Sequence, residues 1–235
     1  MVTFITAFVF AGVLSAYIFL GRALARQVNE VDLESRARTT LKDFADDVSS
    51  AVNLEPYGGL DLTAPALSST QFEIDVARTL ATGGSVVCTA LYTYTAPSGS
   101  TPGNLTVTRI PPSGTLVAAL QNPNWATNEY GAPANPRTIL TNISSLAFIY
   151  QSAESVTMTS STTFSYVAPP GTITLQMVPV GASSTVVQVP ARSVTAIKLV
   201  ELDFVTAEPF AGGAAYSTLR MSTGPIMMRN KGLLQ

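Results

Sequence analysis

The chain has no histidine, and it has one cysteine and one tryptophan in 235 residues. Histidine is the commonest metal ligand and the usual general base near neutral pH. A single cysteine, Cys88, excludes an intrachain disulfide, zinc fingers, iron–sulfur clusters and dithiol redox chemistry. The sequence also lacks GxSxG, SxxK and glycine-rich phosphate-binding motifs. We therefore expect that the protein is not an enzyme and that it carries no metal or other cofactor.

Charge is scarce along most of the chain. There are 13 basic and 15 acidic residues, and twelve of them lie between Arg22 and Glu55. From Pro56 onward the chain is rich in Thr, Ser, Val, Ala, Gly and Pro, a composition typical of short strands joined by turns. The net charge of −2, with no basic patch, argues against a nucleic-acid partner.

Residues 1–20, MVTFITAFVFAGVLSAYIFL, contain neither charge nor proline. At about 1.5 Å per residue this run is roughly 30 Å long, which matches the hydrocarbon core of a bilayer. A cleavable signal has a basic start and a shorter apolar core, and a buried soluble helix usually shows a polar stripe, so both alternatives fit less well. The run predicts a single-pass transmembrane helix.

Small residues in this run indicate where helices can meet. Gly12 allows close approach of a neighbouring helix, although it can equally be a glycine that the helix merely tolerates. We predict that Gly12, Ser15 and Phe8 form a helix–helix assembly surface.

The pattern becomes amphipathic after Arg22 and contains no proline before Pro56. It predicts that the helix continues through residues 22–55. Apolar residues recur mostly at spacings of three and four, with one step of six, and are predicted to form a stripe that packs on the head. The stripe comprises Leu24, Val28, Val31, Ala37, Leu41, Phe44, Val48 and Val52.

Charged residues occupy the other faces of this helix. The pairs Asp32–Arg36 and Glu34–Arg38 have the spacing and order of stabilising helix ion pairs. A late acidic patch, Asp43, Asp46 and Asp47, is open to two interpretations. It is either a site for a cation or a basic partner, or a hydrated helix face, which is the interpretation that we favour.

Alternating and apolar runs separated by Gly and Pro predict a mainly antiparallel β head at residues 56–235, and hence an α+β fold. The clearest element is a hairpin, in which 85–96 pairs with 104–110. The predicted strands are 71–78, 85–96, 104–110, 139–150, 156–166, 172–180, 184–189, 196–206 and 217–228.

Two features of the head have a functional and a structural interpretation. Trp125 lies in the irregular loop 121–136, where it is either a binding anchor or, as we favour, folded back onto its own domain. Glu201 and Asp203 fall on one face of a predicted strand, either as a carboxylate pair or, as we favour, as a solvent-facing strand edge.

Three segments carry a family resemblance. They are AGVLSAYIFLGRALARQ at 11–27, the hairpin ALYTYTAPSGSTPGNLTVTRI at 90–110 with ILTNISSLAFIYQ after it, and the end, VTAIKLVELDFVTA followed by MRNKG. Together with the order of apolar helix, amphipathic helix and β domain, they resemble type IV pilin-like proteins, in particular the minor, J-type pseudopilins of type II secretion and related minor pilins.

The resemblance implies a structural filament subunit. Residues 1–21 would hold it in the inner membrane with the head extracytoplasmic, and would then enter a bundle of sibling pilin-like subunits. The stripe from Leu24 to Val52 would cover the sheet of its own head and partly face these neighbours. Secreted cargo or a surface ligand is a further implied partner. The family's opening Phe-Thr-Leu-Ile/Val-Glu and its basic leader are absent, so we expect in-frame codons upstream of Met1 to encode them.

Two other functional classes stay open. One is a single-span surface binding or adhesin module that does not polymerise, and the other is a membrane-anchored hydrolase that uses carboxylates. Arg22 and Arg26 follow the apolar run and, taken alone, would place the head in the cytoplasm. A basic leader would outweigh them.

Overall fold

The structure is a computed structural model. It describes residues 2–55, 66–99, 101–110, 136–152, 164–167, 173–177, 186–188, 197–209 and 216–229. The predicted loop with Trp125 lies outside these residues, except for residue 136.

One helix, α1 (Val2–Ser49), forms the N-terminal fifth of the chain. Its 48 residues correspond to about 70 Å at the usual rise per residue. The backbone N–H of Ser50 lies 3.2 Å from the carbonyl oxygen of Asp46 and 3.1 Å from that of Asp47, which closes the last turn.

The prediction that the helix reaches Glu55 is wrong. Residues 51–55 form strand β1 (Ala51–Glu55), which pairs with the strand at Gln71–Thr79. Ala51 and Leu54 are buried in the core by this pairing. The absence of proline permits a helix but does not require one. Here the pairing of residues 51–55 with β3 makes them a strand, because tertiary contacts override local helix propensity.

The remaining strands build an antiparallel head. They are β2 (Ala66–Ser68), β3 (Gln71–Thr79), β4 (Ser85–Thr95), β5 (Gly103–Ile110), β6 (Arg137–Ser152), β7 (Phe164–Val167), β8 (Ile173–Met177), β9 (Val186–Gln188), β10 (Ile197–Pro209), β11 (Tyr216–Ser222) and β12 (Ile226–Met227). Within the described residues, ten of the twelve strands share one sheet with the main order β1-β3-β4-β5-β6-β10-β11. The strands β7 and β8 extend it beside β6, β12 pairs with β10, and β2 pairs with β9. This is the predicted α+β architecture.

The predicted hairpin is confirmed, since β4 and β5 pair from Thr89↔Ile110 to Thr95↔Asn104. The predicted strand at 217–228 is instead two strands, β11 and β12, because the chain turns at residues 223–225, where Gly224 has a φ of 65°. Both strands pair with β10.

The core lies between the last third of α1 and one face of the sheet. Phe44 of the helix contacts Phe72 of β3 and Tyr92 of β4, with ring centroids 5.2 and 5.1 Å apart. Phe72 in turn stacks on Phe148 of β6 at 5.4 Å. The helix also hydrogen bonds to the sheet, because the Thr40 hydroxyl lies 3.0 Å from a β6 carbonyl oxygen.

Candidate functional site: the N-terminal helix and its junction with the head

An apolar part of α1, residues 9–20, is exposed on all sides. Every side chain from Val9 to Asn29 is exposed, including the large Phe10, Tyr17 and Phe19. By length and composition this helix is able to cross a membrane, and it is the one such helix in the described part of the chain. This agrees with single-pass anchoring.

The predicted assembly residues lie in this exposed part. A Cβ added at Gly12 would meet no atom within 4 Å, and Ser15 is exposed. The side chain of Phe8 lies outside what the structure describes. The assembly role of these three residues stays a prediction.

The predicted head-packing stripe divides into two parts. Leu24, Val28 and Val31 are 56, 65 and 66% exposed, so the prediction that they pack on the head is wrong. The helix is exposed on every side from Val9 to Asn29, so the head does not cover Leu24 or Val28 whichever way they face. The step of six residues from Val31 to Ala37, about 600° at roughly 100° per residue, also turns these two residues to different sides of the helix.

The second part of the stripe does reach the head. Phe44 and Val48 are buried in the core, and Leu41 packs against it, half-buried. The contact face begins at Leu33, which the sequence pattern did not single out. Its buried helix residues are Leu33, Ala37, Thr40, Phe44, Asp47 and Val48.

Ion pairs flank the exposed helix. The predicted pairs Asp32–Arg36 and Glu34–Arg38 form, with N–O distances of 2.7 and 2.6 Å. Arg26 also pairs with Glu30 at 3.0 Å, which we did not predict. All are exposed, so each contributes only a few tenths of a kcal/mol, about 0.3–0.5.

A buried carboxylate joins the helix to three strands. Asp47 is 1% exposed, and its Oδ2 accepts hydrogen bonds from Tyr92 Oη of β4 at 2.7 Å and from Arg109 Nε and Nη2 of β5 at 3.0 and 2.7 Å. Its Oδ1 accepts a hydrogen bond from Arg78 Nη2 of β3. We call Asp47, Arg78, Tyr92 and Arg109 the Asp47 cluster.

The cluster changes the electrostatics around it. Burial raises the pKa of Tyr92 well above its usual value, and the charge of Asp47 raises it further. Burial alone would lower the pKa of Arg109, but Asp47 and Tyr92 raise it, and the net shift is upward. Tyr92 therefore stays a neutral donor and Arg109 a cation at physiological pH.

The predicted acidic patch is thus not one hydrated face. Asp47 is buried in ion pairs, Asp46 is exposed, and Asp43 is half-buried. Burial raises the pKa of Asp43, Arg109 opposes that shift, and Asp47 adds to it. No group of three or more His, Cys, Asp or Glu that suits a metal ion occurs in the described ranges.

The sequence carries a signal for this cluster that the apolar pattern alone does not reveal, and we did not predict it. The three strand residues of the cluster lie on the inward face of the sheet. Each of them, Arg78, Tyr92 and Arg109, is separated by an even number of positions from buried apolar residues of its own strand. A charged residue in such a position implies a buried partner, because an isolated charge is too costly to bury. Asp47 lies on the same helix face as Thr40 and Phe44, because Phe44 follows Thr40 by four positions and Asp47 follows Phe44 by three.

Glu201 and Asp203 each have their own partner on β11. Arg220 Nη2 lies 2.6 Å from Asp203 Oδ2, and Ser222 donates a hydrogen bond to Glu201 Oε1. Asp203 is buried rather than solvent-facing, which corrects our favoured interpretation. The two carboxylates are engaged by different partners, and this arrangement gives the acid–base pair no support.

Comparison of the chain with protein-family models, with curated proteins and with solved structures finds no match. The architecture and the exposed helix are therefore the features that bear on function.

Proposed function

We propose that this protein is a structural subunit, a minor pilin or pseudopilin, of a type IV pilus-like or type II secretion filament, anchored in the inner membrane before assembly. The observation that carries the proposal is one continuous helix whose apolar residues 9–20 are exposed and whose last third lies in the core of a β head. This design gives a rigid stalk that can exchange a lipid environment for a protein one.

The apolar side chains of the N-terminal run are stabilised when lipid or protein, rather than water, surrounds them. Each apolar side chain of this size gains about 1.5–3 kcal/mol when it leaves water, whether for lipid or for protein. Lipid and protein are similarly apolar, so transfer from one to the other is driven by close packing and small-residue contacts. Gly12 offers such a contact because a neighbouring backbone can approach it.

The stripe Leu24, Val28 and Val31 favours a protein partner outside the membrane. If residues 1–20 span the hydrocarbon core, Val28 and Val31 lie about 12–16 Å beyond it along the helix. The polar layer on each side of a bilayer is about 5–8 Å thick, so lipid does not reach these two residues. The head does not cover them either, since both are exposed.

The second candidate is a single-span surface binding module that does not polymerise. The anchor and the β head suit it equally well, but it gives the exposed stripe no partner. In either candidate the head is a binding and scaffold domain rather than a catalytic one.

Co-purification after mild crosslinking tests the proposal in the native host. Gly12→Leu keeps the helix apolar, so membrane insertion should persist while recovery of other pilin-like chains falls. Val13→Leu, which places the same leucine side chain at an exposed position about 100° around the helix from Gly12, is the control and should behave as the wild type does.

The outcomes separate the two levels of the proposal. Failure to recover any pilin-like chain with the wild type would reject the filament role in favour of the anchored binding module. Equal recovery with wild type and Gly12→Leu would reject only the contact at Gly12.

A further inference from the structure

The last turns of α1 offer the sheet two alternative apolar faces. The buried face comprises Ala37, Thr40, Phe44, Asp47 and Val48, two of which are polar. A neighbouring face, Leu41, Ala45 and Val48, is entirely apolar, shares Val48 with the first, and is rotated by about 100°. The second face would bury no polar side chain, yet Leu41 and Ala45 are only half-buried.

Connectivity does not resolve this choice. The turn at Ser50 and the pairing of β1 with β3 fix where the helix ends. A single attachment at the end of a helix leaves its rotation about its own axis undetermined. Apolar burial is largely non-directional. In the rotated helix Leu41 and Ala45 would face the sheet in place of Phe44, and Val48 would stay at the edge of the contact.

Directional contacts do distinguish the two rotations. In the observed rotation, donors from three neighbouring strands converge on Asp47. A rotation of about 100° would carry this carboxylate away from all three donors. It would also leave Arg109, 3% exposed, without its main counter-charge.

We propose that the Asp47 cluster selects the rotation of the helix about its own axis, and thereby fixes the direction in which the stripe Leu24, Val28 and Val31 points relative to the head. The cluster is then a positioning device rather than a binding site. The use of the stripe in assembly depends on the proposed function, whereas the selection of the rotation does not.

Distances between spin labels on the full-length chain in detergent test this directly. One label is placed at Lys42→Cys on the helix and the other at Ser85→Cys or Thr138→Cys on the head, all exposed positions. The native Cys88 does not compete, because it is buried and burial raises its pKa to about 11. Two head positions distinguish a rotation of the helix from a shift along its axis.

Three variants are compared with the wild type. One replaces the cluster with apolar residues: Asp47→Leu, Arg78→Leu, Tyr92→Phe and Arg109→Met. The second, Asp47→Asn, removes only the charge, and Asp46→Asn at an exposed neighbour is the matched control. Protection of the β4–β5 amides from hydrogen exchange reports whether the sheet is folded.

Wild type and Asp46→Asn should give one narrow distance for each label pair. The apolar variant should keep a protected sheet and show a second distance displaced by about 5 Å or more, as a rotation of one residue position requires. Wild-type distances in a folded apolar variant would overturn the proposal, because apolar contacts would then suffice to fix the rotation of the helix.

If that variant does not fold, the comparison uses Asp47→Asn. Unchanged distances in Asp47→Asn would overturn the proposal, and broadened distances would support it. If neither folds, the cluster is needed for the fold itself and the proposed selection of rotation is rejected.

Discussion

At the scale of residues, a buried ion pair connects the helix to the sheet. Asp47 and Arg109 are both almost fully buried, and each is the other's ion-pair partner. Burying a pair of charges stabilises a fold little compared with apolar residues of the same size, but removal of one partner leaves the other charge uncompensated. The stability of the junction is therefore sensitive to any single change in the Asp47 cluster.

Asp47→Ala should lower the free energy of unfolding of the full-length chain in detergent by about 3–5 kcal/mol, because Arg109 keeps its charge in a buried position. Asp46→Ala, at the exposed neighbour, should change it by less than about 0.5 kcal/mol. Denaturant titration followed by circular dichroism measures both. Equal effects of the two substitutions would contradict the assigned role of Asp47.

The half-buried Asp43 should make stability depend on pH. Its pKa is raised in the folded state, so the folded protein binds this proton more readily than the unfolded one. Stability then falls as pH rises from about 4 through the raised pKa. Asp43→Asn should reduce that decline, while Asp47, Asp46, Arg109 and Arg137 still face the position. The part that remains is expected from Glu73, whose pKa burial also raises. Denaturant titrations between pH 4 and pH 7 compare the variant with the wild type, and parallel pH profiles would refute the prediction.

At the scale of elements, the sequence predicts what local patterns determine. The apolar run of the helix and the alternation of β4 are visible without the fold, so the long helix and the β4–β5 hairpin are predicted correctly. The end of the helix at Ser49 is not predictable in this way, because the pairing of β1 with β3 decides it. Nor is the buried helix face, since two apolar faces compete in its last turns.

The candidate site was less predictable than the fold, because it depends on contacts between residues that are far apart in the sequence. Arg78 and Arg109 lie 31 and 62 residues from Asp47 along the chain, so no local pattern connects them. Each is recognisable alone as a charge on the inward face of a strand. Only the packed sheet shows that they converge on one carboxylate.

Phe44 and Val28 provide a test of the revised helix face. Phe44→Ala should lower the free energy of unfolding by about 3–5 kcal/mol, because it removes a ring from the aromatic cluster with Phe72 and Tyr92. Val28→Ala, on the exposed stripe, should have an effect within about 0.5 kcal/mol. Thermal or denaturant unfolding measures both. A large effect of Val28→Ala on the isolated chain would show that the stripe does pack on its own head.

At the scale of the whole molecule, the two ends of one helix have different surroundings. Its apolar residues 9–20 are exposed, and its last third is part of the folded head. The helix is unbroken between them, so the direction of the stripe Leu24, Val28 and Val31 is set by the way the head holds the helix. Anchoring, stalk direction and head stability are consequently connected through α1.

The full-length chain should stay with the membrane through carbonate extraction, because residues 1–20 are long and apolar enough to span it. A chain shortened to begin at Asn29 should be soluble and should keep the head fold, since the contact face starts later, at Leu33. Fractionation and circular dichroism of both chains measure this. Recovery of the full-length chain in the soluble fraction would contradict the membrane anchor.

Site-specific photo-crosslinking in the native host tests the filament role most directly. A photoreactive amino acid at Val28 lies on the exposed stripe, and one at Asn29, exposed and rotated by about 100°, is the matched control. We expect the probe at Val28 to crosslink to another pilin-like chain, and to do so more than the probe at Asn29. If membrane-inserted protein with the probe at Val28 crosslinks to no pilin-like chain, the stripe has no such partner and the filament role is contradicted.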